Sequence, residues 1–132
     1  MSAFHLQIVT PDGSFFDAEA EKLIVRAIDG DICILPKHIP YVTALSMGEA
    51  RVTVDGQVRY AAANGGMLAV TGDKVRLVAS TFEWAEDIDK ERAKRAHDSA
   101  KETMQSTKDA KEIQMAKARL TRALVRLKVA EK

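Results

Sequence analysis

Asp89 is the residue whose chemistry stands out, because it interrupts an apolar pattern. Ala93, Ala96, Ala100 and Met104 recur at the three- and four-residue spacing of one helix face, and Asp89 lies four residues before Ala93 on that face. A carboxylate here can serve as favourable negative charge at a helix N-terminus, contributing about 0.3–1 kcal/mol. It can also receive a polar group in surroundings that are otherwise apolar. The residues alone leave both interpretations open.

The elements that must position Asp89 are helical. After Gly72 the chain contains neither Gly nor Pro, and helix-forming residues dominate. A second apolar series follows at helical spacing: Ile113, Ala116, Leu120, Leu124 and Leu127. The polar segment 105–109 separates the two series, and Ser106 with Asp109 has capping-box spacing. The pattern predicts two antiparallel helices joined by a tight turn.

Charge is distributed unevenly between the two parts of the chain. Residues 1–84 contain 7 Lys/Arg and 10 Asp/Glu, a balance of −3, whereas residues 85–132 contain 13 and 9, a balance of +4. Within residues 113–132 there are 6 basic residues and 1 acidic residue. The second helix is therefore predicted to be electropositive and suited to an anionic partner.

Short apolar runs separated by turn signals occupy the first part of the chain. Phe4 to Val9 alternates as a half-buried strand does, and 75–80 is predicted as the last strand. Turn signals lie between the runs: Pro11-Asp12-Gly13, Asp29-Gly30, Pro36 to Pro40, Asp55-Gly56 and Asn64-Gly65-Gly66. This pattern is typical of an antiparallel sandwich or barrel. We predict a β domain over residues 1–84 and a helical hairpin over 85–132.

Composition excludes several classes of protein. The 132 residues are 46% hydrophobic and 30% charged, and no apolar stretch approaches the ~18 residues of a membrane helix, so no membrane insertion is predicted. The first residues lack a signal-peptide pattern. Cys33 is the one cysteine; it fits a reducing compartment and is predicted to be a small buried apolar residue.

Motifs for catalysis are missing from the sequence. Neither G-x-x-x-x-G-K-[ST] nor G-x-G-x-x-G occurs, and no Ser has the context of a nucleophile elbow. His5, His38 and His97 have no metal-ligand spacing to one another or to Cys33. We therefore predict no catalytic residue, no metal site and a protein that is not an enzyme.

Several motifs resemble one known family. Ile8 to Gly13, the stretch Asp29 to His38, Gly65-Gly66 and the run 75–80 are similar to the ε-subunit family of bacterial F-type ATP synthases. The resemblance covers the chain from end to end. It implies a ten-stranded β-sandwich followed by two helices. Cys33 departs from the family, which usually has Gly there, and this concerns local packing only.

The resemblance also implies a location and partners. The family occupies the central stalk, with the sandwich on the γ subunit and on the c-ring, at the cytoplasmic face of the bacterial membrane and peripheral to it. The c-ring contact maps onto Asp31 and His38. The helices either fold onto the sandwich or extend along γ toward the α/β catalytic ring, where they block rotation in the hydrolysis direction.

Some members of the family bind ATP as a regulatory ligand through an I/L-D-x-x-R-A motif. That motif stands here as Ile88, Asp89, Arg92 and Ala93 with two intervening residues, and the further family positions match as Glu83, Arg122 and Arg126. Arg122 and Arg126 are one turn apart, so both guanidiniums can reach phosphate. Asp89 or Glu83 can accept from the adenine amino group, and Ile88 and Ala93 offer apolar contact. The sequence leaves a Mg²⁺ requirement open.

Two alternatives remain. The arginines of the second helix can form a solvated face or meet an acidic segment of a partner. The chain can also be a free-standing nucleotide- or nucleic-acid-binding module that uses the basic helix. Against nucleic acid, no aromatic residue follows Trp84 to stack on bases, so no nucleic-acid partner is predicted.

Overall fold

A computed structural model describes residues 3–132, which form two compact units, one ending at Trp84 and one running from Ala85 to Lys132. The strands of the first unit are β1 (Phe4–Thr10), β2 (Gly13–Ala20), β3 (Lys22–Ala27), β4 (Gly30–Ile34), β5 (Tyr41–Leu45), β6 (Gly48–Val54), β7 (Gln57–Asn64), β8 (Gly66–Thr71), β9 (Lys74–Val78) and β10 (Thr81–Trp84). The second unit contains a 3₁₀ turn (Ala85–Asp87), α1 (Lys90–Ser106) and α2 (Ala110–Ala130). The predicted fold class, a ten-stranded sandwich followed by two helices, is confirmed.

The ten strands form one sheet that folds over on itself. Its order is β10-β7-β6-β3-β5-β8-β9-β1-β2, and β4 pairs with β3 outside this path. Each pairing between the described strands is antiparallel except β1 with β9, which is parallel. The prediction of an antiparallel sheet misses this pair, because hairpin signals in the sequence report only on strands that follow one another.

The core of the sandwich consists of alternate residues from most of its strands. Leu6, Leu23, Leu68 and Leu77 have 0% of their surface exposed. Burying one such side chain stabilises the fold by about 1.5–3 kcal/mol. The first unit therefore has an apolar core of its own.

The Asp55-Gly56 turn forms the predicted two-residue hairpin between β6 and β7. Both residues have positive φ, 51° and 75°, which suits the twist of the flanking strands. The Gly56 N–H donates to Glu21 Oε1 at 2.8 Å. This bond ties the turn to the connection between β2 and β3.

Two predictions about the first unit are wrong. The predicted last strand is β9, which ends at Val78, and the short strand β10 follows it. Only Phe82 and Trp84 are buried on β10, too few to give a clear alternation in the sequence. Cys33 is exposed, because it alternates with buried Ile34 and faces away from the core.

The helical unit is an antiparallel hairpin whose buried contact surface consists mainly of alanine. The buried residues are Ala93 and Ala100 on α1 and Ala116, Ala123 and Val129 on α2. Ala100 and Ala116 are the same number of residues from Lys108 in the turn, and so are Ala93 and Ala123. In an antiparallel hairpin each pair therefore lies at the same height along the helix axes. Small side chains at each level allow the two helix axes to approach closely.

The hairpin differs from the predicted apolar series at two positions. Ala96 is exposed, and Leu124 has 48% of its surface exposed. On α2 the contact row passes through Ala116, Leu120 and Ala123, and the row leaves the neighbouring Leu124 outside. The sequence predicted a step of four residues, from Leu120 to Leu124, whereas the contact row steps three residues, from Leu120 to Ala123.

The cap of α2 is Asp109 and not the predicted pair of Ser106 with Asp109. Asp109 Oδ1 accepts from the Lys111 N–H at 3.0 Å, and the Thr107 hydroxyl donates to Glu112 Oε2 at 2.7 Å. Ser106 is the last residue of α1. The turn between the helices is therefore residues 107–109.

Candidate functional site

Asp89 is the N-cap of α1. Its Oδ1 accepts from the Arg92 N–H at 3.1 Å, and its backbone carbonyl accepts from the Ala93 N–H at 3.0 Å. An N-cap of this kind typically contributes about 1 kcal/mol. The capping interpretation of Asp89 is thus realised, while Oδ2 has capacity to accept another hydrogen bond.

The residues that flank Asp89 differ in exposure. Ile88 is 8% exposed and Ala93 is 4% exposed, so both lie in apolar surroundings. Arg92 is exposed, as is Asp89 itself. The start of α1 therefore presents a carboxylate and a guanidinium above a buried apolar base.

Arg122 and Arg126 lie one turn apart near the end of α2. Both are half-buried, whereas Arg119 is exposed. Since the helices are antiparallel and Ala93 faces the level of Ala123, this part of α2 lies beside the start of α1. Helix α2 also contacts the 3₁₀ turn that precedes α1. The hairpin thus brings residues 88–93 and 122–126 to one end.

Glu83 belongs to the first unit. It is a half-buried residue of β10, paired in register with Ala62. The remaining predicted nucleotide-binding residues all belong to the helical unit. Within that unit, the Asp89 carboxylate and the buried apolar residues Ile88 and Ala93 are groups that could contact a nucleobase. The guanidiniums of Arg92, Arg122 and Arg126 are groups that could contact phosphates.

Asp31 is the second residue of β4, and His38 lies in the loop that follows this strand. Asp31 Oδ1 pairs with Arg26 Nη1 at 3.5 Å, with both groups more than half exposed. His38 Nδ1 lies 2.7 Å from the Ile39 carbonyl oxygen, and its ring is 6.0 Å from that of Tyr41. Asp31 is exposed and His38 is half-buried, so both predicted residues are accessible at the surface.

An exposed apolar surface on the sandwich was not predicted from the sequence. It lies on the outer side of β5, β8, β9 and β1, and we call it the apolar face: Val9, Val42, Ala44, Met67, Ala69 and Val78. The exposed Arg76 lies on the same side, paired in register with Ala69. Val42 is 63% exposed, Met67 54% and Val78 42%. A signal for it exists in the sequence, because in β5 and β8 both alternating sets of residues contain apolar side chains.

The outer side of β3, β6 and β7 is polar by comparison. Arg51 Nε donates to Glu49 Oε1 at 2.7 Å, and this hydrogen bond raises the pKa of the Arg51 guanidinium. Arg51 also lies 5.9 Å from the ring centroid of Tyr60. On the outside of the sandwich, exposed apolar side chains are therefore more frequent on the apolar face than on β3, β6 and β7.

Two further observations concern metal and membrane. Among residues 3–132, no three His, Cys, Asp or Glu side chains are placed to share a metal ion. Neither α1 nor α2 has an apolar stretch of the kind that crosses a bilayer.

Both units match models of one protein family. Residues 3–85 match the β-sandwich domain of the ATP synthase delta/epsilon chain, and residues 86–131 match its long α-helix domain. The chain belongs to the ATP synthase delta/epsilon family. The resemblance stated from the sequence motifs is confirmed.

Relatives in this family match over their whole length. The chain is 46% identical to the ATP synthase epsilon chain of Bacillus subtilis over 132 residues, covering 100% of both chains. It is 45% identical to that of Bacillus velezensis, covering 98% of both. Both names describe a chain of an ATP synthase, and the prediction of a non-catalytic subunit of such a complex is confirmed.

Chains of two solved ATP synthase structures agree with the architecture. A chain of the Euglena gracilis mitochondrial ATP synthase, solved as OSCP/F1/c-ring, gives a TM-score of 0.85 at 21% identity, covering 100% of this chain and 83% of that one. A chain of the Tetrahymena thermophila mitochondrial ATP synthase central stalk and c-ring gives 0.66 at 14%, covering 96% and 95%. At these identities the likeness shows the fold alone.

Proposed function

We propose that the chain is the epsilon subunit of a bacterial F-type ATP synthase, a rotor subunit that joins γ to the c-ring. The observation that carries the proposal is the match of both domains together with the full-length relatives named epsilon chain. Attachment to a membrane-embedded c-ring places the subunit peripherally on the cytoplasmic face of the cell membrane. In this role it serves proton-driven ATP synthesis without catalysing a reaction itself.

The γ subunit is the proposed occupant of the apolar face. Exposed apolar surface that continues across four strands is characteristic of protein interfaces. The polar outer side of β3, β6 and β7 lacks such a surface, apart from single residues such as Val58. A stalk subunit needs one permanent partner surface, and the apolar face meets this requirement.

Val42→Glu is expected to weaken the complex with γ at least about tenfold, because it places an unpaired charge within the apolar interface. Val58→Glu is the matched control. Val58 is also an exposed valine on a strand, at 47% against 63% for Val42, but it lies outside the apolar face. Affinity measured by surface plasmon resonance on purified γ tests this. Equal weakening by both substitutions would remove the assignment of the face.

The c-ring contact is proposed at β4 and the loops on either side of it. Asp31 and His38 lie there, and three apolar residues of the same region are strongly exposed: Ile28 at 65%, Leu35 at 50% and Ile39 at 73%. A charged residue among exposed apolar side chains suits a partner surface that has both polar and apolar groups. The geometry supports a second contact region distinct from the apolar face.

The helical unit is proposed to regulate hydrolysis. In its folded form the hairpin leaves the α/β catalytic ring free, and in its extended form the basic helix α2 reaches that ring and restrains rotation. The contacts that hold the hairpin closed are largely alanines, which bury little area at about 25 cal/mol per Å². A partner or ligand can therefore reverse the arrangement.

ATP is the proposed ligand of the folded hairpin. The support is the convergence of Ile88, Asp89, Arg92 and Ala93 with Arg122 and Arg126 at one end of the helical unit. Glu83, on β10 in the first unit, is a position matched by the family motif only. Ligand at a hundred times its dissociation constant would favour the binding form by about 2.7 kcal/mol, so ATP would oppose inhibition. Titration with and without Mg²⁺ measures the metal requirement.

Removal of residues 87–132 is expected to leave a sandwich that assembles with γ while ATP hydrolysis by the complex rises at least about fivefold. The reason is the division of the chain into two compact units, of which the first has its own core. Hydrolysis is measured on reconstituted complexes with full-length and shortened subunits. Unfolding of the shortened protein would show that the boundary is wrong, and unchanged hydrolysis would remove the regulatory role.

The second candidate function is a free-standing nucleotide- or nucleic-acid-binding module. Co-purification distinguishes it from the first. A stalk subunit retains γ and a free module does not. The full-length match to epsilon chains favours the stalk subunit.

A further inference from the structure

The two ends of the strand path in the sandwich meet through aromatic side chains. Within the described chain, β2 pairs only with β1 and β10 only with β7. Phe15 on β2 has its ring centroid 5.2 Å from that of Phe82 and 5.7 Å from that of Trp84, and Phe16 lies 6.0 Å from Trp84. Ring contacts thus join two edges that share no backbone pairing.

A β-bulge makes this arrangement possible. Ile8 pairs with Phe16 and the next residue, Val9, pairs with Ser14, so Phe15 is the extra residue of β2. In a regular strand two successive side chains point to opposite faces, whereas a bulge re-aims one of them. Phe15 and Phe16 therefore both reach Trp84.

Arg59 adds a cation to the aromatic group. Its guanidinium carbon lies 3.8 Å from the ring centroid of Trp84, a close cation–π contact. Trp84 is 7% exposed and Phe82 is 4% exposed. We call the five side chains, Phe15, Phe16, Arg59, Phe82 and Trp84, the aromatic clamp.

Trp84 has a special place in the chain, because it is the last strand residue. The 3₁₀ turn Ala85–Asp87 follows at once, and then Ile88 and the N-cap Asp89. β10 is only four residues long, so its backbone pairing with β7 is limited. Without side-chain contacts, a strand this short would separate from β7 when the following segment moves.

We propose that the aromatic clamp is the fixed anchor of the helical unit, which confines the hinge of its rearrangement to residues 85–89. The proposal rests on the regulatory movement proposed above. It assigns to Arg59 and Phe15, which lie outside the helical unit, the role of keeping β10 in the sheet while the helices change position.

Amide hydrogen exchange on the full-length protein tests the anchor. In the wild type, residues 81–84 should exchange as slowly as β7, and 85–89 at least about a hundredfold faster. Arg59→Ala should speed exchange of β10 about tenfold by removing the cation–π contact. Arg51→Ala is the control, since Arg51 also lies near an aromatic ring but outside the clamp; it should leave β10 unchanged.

A second variant guards against loss of folding. Phe15 is 37% exposed, so Phe15→Leu keeps an apolar side chain at a tolerant position and should also speed exchange of β10. Trp84 is the single tryptophan, so its emission should shift to longer wavelength in both variants and stay unchanged in Arg51→Ala.

Two results would overturn the anchor. One is exchange of residues 81–84 as fast as that of 85–89 in the wild type. The other is unchanged β10 exchange in both Arg59→Ala and Phe15→Leu. Neither result depends on ATP affinity or hydrolysis, so failure of the anchor and failure of the proposed regulation remain distinguishable.

Discussion

Arg126→Ala is expected to weaken ATP binding about 10- to 100-fold, because loss of one charge-assisted contact to phosphate costs about 1.5–3 kcal/mol. Arg122→Ala should have a similar effect, since both residues are half-buried at the end of α2 beside the start of α1. Arg119→Ala is the matched control: it removes the same charge from the same helix, but Arg119 is exposed. Isothermal titration calorimetry on the full-length subunit measures all three.

Equal affinity in the wild type and in Arg126→Ala would return the arginines to a solvated face. Absence of binding at millimolar ATP would do the same. An acidic segment of a partner protein would then be the remaining alternative for a contact with these arginines.

Asp89→Asn probes the base while it keeps the helix cap. Alanine at this position would also remove the bond from the Arg92 N–H, whereas asparagine is a good N-cap residue. If the amide oxygen caps the helix, the amide NH₂ replaces the acceptor that would meet the adenine amino group. ATP should therefore lose more affinity than GTP, and an equal loss for both would contradict base recognition by Asp89.

Gly66→Ala is expected to destabilise the sandwich by more than about 4 kcal/mol, the size of effect that needs an identifiable steric cause. A Cβ at residue 66 would lie 1.7 Å from the Val78 carbonyl oxygen. Because this oxygen belongs to the backbone, no side-chain rotation can relieve the clash. Gly66 also has φ of 117°, which side chains rarely adopt. Chemical denaturation of the full-length protein measures the loss.

Gly72→Ala separates the steric clash from the backbone preference. Gly72 has φ of 61°, but nothing lies within 4 Å of an added Cβ. Its replacement should cost only about 1–2 kcal/mol, the ordinary penalty of a left-handed residue. Similar losses at residues 66 and 72 would show that the backbone and not the contact with Val78 decides the effect.

The sequence predicted the parts of the fold that depend on local chemistry. The Asp55-Gly56 turn and the helix-forming residues at helical spacing after Asp89 each favour a local conformation. Strand β10 was missed because two buried residues are too few for a periodic signal. The parallel pairing of β1 with β9 joins strands that are distant in sequence, and no local pattern reports on it.

The candidate site was predictable to a similar extent. An antiparallel hairpin necessarily brings Asp89 near the end that carries Arg122 and Arg126, so their convergence followed from the two helices. The cap formed by Asp89 was one of two open interpretations. The apolar face and the aromatic clamp depend on strand register and on a bulge at Phe15, which only the three-dimensional arrangement reveals.

The alanine pairs of the hairpin have a thermal consequence. Where Ala93 meets the level of Ala123 and Ala100 that of Ala116, parting the helices would bring only methyl groups into contact with water at each level. The heat-capacity change of exposing apolar surface grows by about 0.45 cal/mol/K for each Å². These two alanine levels would therefore contribute little to the heat-capacity change of opening, and the larger buried side chains of α2, such as Val129 and the half-buried Leu120, would contribute most of it.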